Sequence, residues 1–225
     1  STPLYSSAAS DVYKRQPYIL PSLLKLIEDE FPDLEPRIVE NQTEELLLRL
    51  RDGQIDVAVL ATPTDATGVC EIPLYEEAFA IVTSPDHPAA GRGDLDLNAL
   101  KDLELLLLDD GHCLRDQIVE LCKIAEVNRT SGAQSVTRAA SLTTVVQLVV
   151  AGLGSTLVPV SALSTECARP GLAIAAFGPG VDAKRTVGLV MRASSRRRPE
   201  FEQLGELVSR AFEQATESSR KLLPR

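Results

Sequence analysis

Leu105-Leu106-Leu107-Leu108-Asp109-Asp110-Gly111-His112-Cys113-Leu114-Arg115-Asp116-Gln117 runs from an apolar stretch through a polar turn into an amphipathic segment. Leu114, Ile118, Leu121 and Ala125 continue that segment at helical spacing. The pattern is strand, turn, helix, and it sets Cys113 in the first turn of the helix. A thiol there feels the positive end of the helix dipole, which favours thiolate over thiol. His112 and Arg115 can add positive charge or hydrogen bonds beside it, while Asp109, Asp110 and Asp116 work the other way. Residue types alone leave that balance open.

Cys122 stands nine residues after Cys113. On one continuous helix this separation is about 13 Å along the axis and about half a turn around it. A disulfide needs Cα atoms within ~7 Å. The two thiols therefore cannot bond while the helix is intact, and bonding would couple oxidation to local unfolding. The plainer reading is two inert, buried cysteines, because free cysteine is among the most buried residue types.

Working outward, apolar and polar stretches alternate along the chain. Leu20, Leu23, Leu24, Ile27 and Phe31 mark a helix stopped at Pro32. Arg37-Ile38-Val39 reads as a strand. Thr43 is expected to cap a helix from Glu44 to Arg51, with Gly53 just past its end. Strands are expected at 55–61 and 78–83, a loop at 84–96, a strand at 104–108 and a helix at 113–126. Ser141 can cap an apolar helix to Val150, closed by Ala151-Gly152-Leu153-Gly154. A strand at 155–158, a short helix at 161–166, strands at 172–177 and 186–192, and a helix opened by Pro199 and running to about Thr216 complete the pattern. Alternating strands and helices predict an α/β fold with mainly parallel sheets. So many short units suit two Rossmann-like subdomains, crossed near Leu74–Glu77 and Gly178–Lys184, with ligands bound where strand carboxyl ends face a cleft.

Composition narrows the function classes. A hydrophobic content of 44% in 225 residues supports a substantial core. No apolar run approaches a membrane span, and no segment has the layout of a secretion signal. Four cysteines, at 70, 113, 122 and 167, are too few and too scattered for a disulfide scaffold, which fits a reducing cytoplasm. A net charge of −9 argues against direct nucleic-acid binding by this chain. Arg196-Arg197-Arg198 is the one basic cluster and reads as a solvated linker. Zinc is not expected: there is no C-x-x-C, and adjacent His112 and Cys113 seldom ligate one ion. A cysteine hydrolase would need a histidine base, and His87, the other histidine, sits in a Pro-Asp-His-Pro loop. The Gly152 and Gly154 run follows a helix and is a helix stop, not a phosphate cradle. Cys70 and Cys167 lie in loop-like contexts with no partner pattern and read as structural or incidental.

The stretch from Leu108 to Gln117 resembles the sensing loop of OxyR, the peroxide-responsive branch of the LysR-type transcriptional regulators. Cys122 falls at the spacing that branch uses for its second cysteine. Pro17-Tyr18-Ile19-Leu20-Pro21 is similar to the start of the first helix of a LysR effector domain, and Asn41-Gln42-Thr43 with Glu44-Glu45-Leu46-Leu47 to the start of its second. Arg138-Ala139-Ala140-Ser141-Leu142 through Gly154 to Leu157-Val158-Pro159 is similar to a later helix–strand unit. The resemblance runs from Pro17 to Phe212. It implies a periplasmic-binding-protein-like regulatory domain over 17–217, with subdomain I at 17–75 plus 185–217 and subdomain II at 76–184. By the same resemblance, peroxide would oxidise Cys113 through a sulfenic acid, and Cys122 would resolve it as a disulfide. His112 and Thr43 would hold or protonate the peroxide oxygens. Arg115 would favour the thiolate or pair with Asp116, and Ser141 joins the effector-binding set.

The resemblance further implies a cytoplasmic, homo-oligomeric transcriptional activator (dimer or tetramer) of the oxidative stress response, with no cofactor and no enzymatic turnover. DNA would be bound through a winged helix-turn-helix segment that this chain lacks, and RNA polymerase contacted in the full-length protein. Two other readings remain open. One is an ordinary LysR effector domain that binds a small metabolite in its cleft; the other is a thiol peroxidase. Residues 1–16, STPLYSSAASDVYKRQ, have no periodicity and resemble adaptor read-through. Lys14-Arg15-Gln16 stand where the family carries a strand and a threonine.

Overall fold

The computed structural model describes residues 18–109, 113–127 and 138–224, with Cys113 and Arg138 by backbone alone. The expected foreign tail 1–16 and His112 lie outside the described residues. In order, the elements are α1 (Leu20–Glu30), α2 (Thr43–Arg51), β1 (Val57–Thr62), β2 (Val69–Thr83), a 3-10 helix (Leu97–Asp102), β3 (Leu107–Leu108), α3 (Cys113–Ile124), β4 (Arg138–Ala139), α4 (Leu142–Val150) and β5 (Thr156–Pro159). A 3-10 turn (Val160–Ala162), α5 (Leu163–Glu166), β6 (Ala173–Ala176), β7 (Lys184–Arg192) and α6 (Arg198–Arg220) follow. The chain divides into two compact units. The first is the described chain to Glu77 with Arg185–Ala215; the second is Ala78–Lys184 with the chain from Thr216.

In the first unit β1 pairs with β7, from Val57 opposite Met191 to Thr62 opposite Thr186. Pro21 sits in the first turn of α1, where a missing N–H costs nothing. The helix then buries Leu23, Leu26 and Ile27 against Leu207, Val208, Ala211 and Phe212 of α6. Leu46, Leu47 and Leu50 of α2 are buried with Ile55, Ala58, Leu60 and Val190. Arg192 closes that layer by donating from Nη1 to the Leu50 carbonyl at 2.7 Å and the Ile55 carbonyl at 2.6 Å. The Leu50 carbonyl, at the helix end, also accepts from the Gly53 N–H at 3.3 Å, so Arg192 adds a second donor from a distant strand. Gly188 of β7 has no room for a side chain: a Cβ would lie 2.8 Å from Thr62 Cγ2 and 3.0 Å from the Ile72 carbonyl oxygen.

In the second unit the later part of β2 lies between β5 and β6, with Ile81 opposite Leu157 and Ala175. β3 and β4 are parallel, and parallel bridges join Leu105 to Ser155 and Leu95 to Phe177. Gly154 passes so close to the Glu104 carbonyl that a Cβ would lie 2.4 Å from its oxygen, and it adopts φ +149°. The Gly-rich helix stop is therefore also a close backbone crossing.

Four expectations need correction. The sheets are not mainly parallel among the described residues: β1–β7, β2–β5 and β2–β6 are antiparallel. Strands joined locally through a helix, such as β3 and β4 across α3, obey the parallel crossover rule. β2 and β7 run on from one unit into the other, so no local crossover sets their direction. Arg37-Ile38-Val39 forms no strand. Thr43 does not cap α2, because the helix starts at Thr43 itself and extended Gln42 is the cap position, with no side-chain cap bond. Finally, α6 extends to Arg220, and the chain passes into the second unit a third time, after Ala215.

Candidate functional site

β3 and β4 are parallel neighbours, and each leads into a helix at its carboxyl end. β3 runs toward α3, whose first residue is Cys113. β4 runs through Ala140 to Ser141, the cap of α4. The Asp109 N–H donates to the Ala139 carbonyl at 3.1 Å, so the two segments remain paired just before their helices begin. The sequence-derived residues Cys113 and Ser141 thus stand at the carboxyl ends of adjacent strands in one unit, where α/β folds place ligands.

α3 is unbroken from Cys113 to Ile124, so both cysteines lie on one helix. Leu114, Ile118 and Leu121 are its buried side chains. Cys122 is half-buried. Arg115 Nη1 lies 3.7 Å from Asp116 Oδ1. Ser141 Oγ accepts from the Thr144 N–H at 3.1 Å and lies 2.8 Å from Thr144 Oγ1. It is the helix cap that its sequence context predicts.

Thr43 belongs to the first unit, at the first residue of α2 and half-buried. Glu44 and Glu45 follow in the first turn, where carboxylates complement the dipole. Cys113, Arg115, Asp116, Cys122 and Ser141 are gathered in the second unit. Among the described residues no group of His, Cys, Asp and Glu could hold a metal ion. No helix among them is long and apolar enough to cross a membrane.

The model of the LysR substrate binding domain matches residues 12–213. The chain belongs to this family. As a LysR substrate-binding domain it has the periplasmic-binding-protein-like α/β fold in two subdomains, and its relatives lie in the OxyR branch. It is 46% identical over 197 residues to a Mycobacterium avium protein named "Probable hydrogen peroxide-inducible genes activator", an alignment covering 86% of this chain and 62% of that one. The chain therefore spans about 62% of the length of that curated relative. A Corynebacterium glutamicum OxyR structure, a cysteine-to-serine mutant in its H2O2-bound form, superposes with TM-score 0.90 at 55% identity, over 96% of this chain and 69% of that one. The reduced OxyR regulatory domain of Pseudomonas aeruginosa superposes with TM-score 0.75 at 31% identity, over 92% of this chain and 95% of that one. The family match begins at residue 12, inside the segment 1–16 that sequence reading set aside.

Two features of this LysR domain escaped sequence reading. Gln117, one helical turn after Cys113, has a buried Oε1 with no hydrogen-bond partner among the described residues. A buried amide oxygen without a donor costs about 1–3 kcal/mol, so it is an acceptor in want of a partner. The available signal was its spacing four residues from Cys113, which puts the two on one helix face. The second is a buried ion pair, Arg185 with Glu77, at 3% and 1% side-chain exposure. Its only trace in the sequence is an arginine at the start of an apolar strand. Cys167 is buried, and burial first, then the Glu166 charge, pushes its thiol up to about 12. It is held as a neutral thiol, in keeping with a structural cysteine.

Proposed function

We propose that this chain is the regulatory domain of a peroxide-sensing LysR-type transcription factor, with Cys113 as the reacting thiol and Cys122 as its resolving partner. The observation that carries the reading is the placement of both cysteines on one continuous helix at the carboxyl end of β3. The relatives' names supply the oxidant. The Cys113 thiolate attacks one peroxide oxygen; an S–O bond forms, the O–O bond breaks, and the departing hydroxide takes a proton to leave as water. Cys122 then attacks the sulfenic sulfur; the S–S bond forms, the S–O bond breaks, and a second water leaves. The two thiols supply the two electrons, so no cofactor enters.

His112 and Thr43 hold the peroxide oxygens, with Arg115, Asp116 and Ser141 shaping the surrounding charge and hydrogen bonding. DNA is engaged through a winged helix-turn-helix segment of the longer protein, in a cytoplasmic homo-oligomer that contacts RNA polymerase. The domain is a sensor that reacts once per signal, not a turnover enzyme.

Peptide mapping after one equivalent of peroxide tests this. The expected product is a Cys113–Cys122 disulfide with Cys70 and Cys167 still reduced, and Cys122→Ser should trap a sulfenic acid on Cys113. Oxidation that spares both Cys113 and Cys122 would overturn the reading. Repeated turnover with a thiol reductant would point to a peroxidase instead.

A further inference from the structure

Glu77 is the last residue of the first unit before the chain passes into the second, and Arg185 is the first residue on its return. Arg185 donates to Glu77 Oε2 from both Nε, at 2.8 Å, and Nη2, at 2.5 Å. The two positions are 108 residues apart in sequence, yet the side chains are almost fully buried. The strands that carry them are neighbours. On the first unit's side, Gly188 of β7 lies against Ile72 of β2. On the second unit's side, the Phe79 N–H donates to the Ala183 carbonyl at 2.9 Å.

A buried tyrosine adjoins the pair. Tyr75 is two residues before Glu77 on β2 and so projects from the same face. It stacks on Phe212 with ring centroids 3.8 Å apart, and its hydroxyl is buried with no hydrogen-bond partner among the described residues. Burial, and then the charge of Glu77, pushes that hydroxyl's pKa well above the usual tyrosine range. A buried ion pair is weak as a source of stability, because desolvation offsets much of its attraction. Its best-attested use is to select one arrangement over its neighbours. Two N–H groups of one planar guanidinium on a single oxygen also fix orientation more tightly than a lysine would.

We propose that Glu77–Arg185 is a clasp that locks the register of β2 against β7 where both leave the first unit, so that the two strands act as one stiff connection rather than two separate linkers. The inference is independent of the peroxide reading. A one-residue slip of either strand would leave both charges buried and unmatched, and so would be strongly disfavoured. An apolar pair at the same positions would fill the space without that selectivity.

Hydrogen exchange on the chain tests the clasp in two variants: Glu77→Gln, and the double variant Glu77→Leu with Arg185→Met, which keeps the volume apolar. In both, the amides of Phe79 and of Thr186–Gly188 should exchange at least tenfold faster. Those of Leu46–Leu50 and Val145–Val149 should keep their wild-type protection. Should Glu77→Gln fail to fold, the double variant decides alone. Unchanged boundary amides in the double variant would show that packing sets the register, and would overturn the proposal. Protection lost evenly across both units would also overturn it, by reducing the pair to an ordinary contributor to stability.

Discussion

Among single residues, Cys167 gives the sharpest statement about pH. Its thiol stays protonated in the folded chain up to about 12, against an ordinary value of 9.0. The folded state therefore holds a proton that the unfolded chain releases, and this favours folding most below pH 9. As pH climbs from there toward 12, the advantage is lost at up to about 1.4 kcal/mol per unit. Urea midpoints at pH 8 and pH 10 should fall further for the wild type than for Cys167→Ala; equal falls would show that the thiol is not held neutral by its surroundings. The same burial keeps Cys167 out of thiol chemistry, since the thiolate is the reactive form. Cys70 is half-buried, with Arg198 Nη1 3.9 Å from its sulfur.

At the scale of elements, α3 is the one that a Cys113–Cys122 disulfide cannot leave alone. With the thiols about 13 Å apart along an intact helix, forming the bond must melt part of the segment. Amide exchange across residues 114–124 should rise sharply on oxidation, with α4 little changed. Unaltered protection in α3, with the disulfide verified by mass, would sink the idea. Elements whose cause is local were readable in the sequence. α1 follows its Leu20, Leu23 and Ile27 spacing, although Leu26 is buried and Leu24, which the sequence put on the apolar stripe, is exposed; Ser141 caps α4 as its position before an apolar run suggests. Thr43 misled because a threonine before two glutamates looks like a cap, while the chain stays extended only as far as Gln42. The strand expected at 104–108 shrinks to Leu107–Leu108, because Leu105 is held by an isolated bridge to Ser155. The adjacency of β2 and β7, and the partner of Arg185, depend on residues about a hundred positions away, and no local pattern encodes them.

At the scale of the whole molecule, the family match and the folded chain end in different places. The match stops at residue 213, but α6 continues to Arg220, and its last turns belong to the second unit. Thr216 and Ser219 are fully buried there, and Ser219 Oγ accepts from the Ser164 N–H at 3.0 Å. Ser164 lies in the first turn of α5, a helix whose own cap position, Ala162, offers no side-chain acceptor. Ending the chain at Phe212 should cost at least the ~1 kcal/mol of a lost cap. That corresponds to a drop in melting temperature of about 2–4 °C or more, with faster exchange in Leu163–Glu166. An unchanged melting curve would mean that the last turns are ornamental. For anyone transplanting this domain into a hybrid regulator, the seam therefore belongs after Leu222: a graft cut at the family boundary would shave Ala215 from the core of the first unit and strip the buried Thr216 and Ser219 from the second.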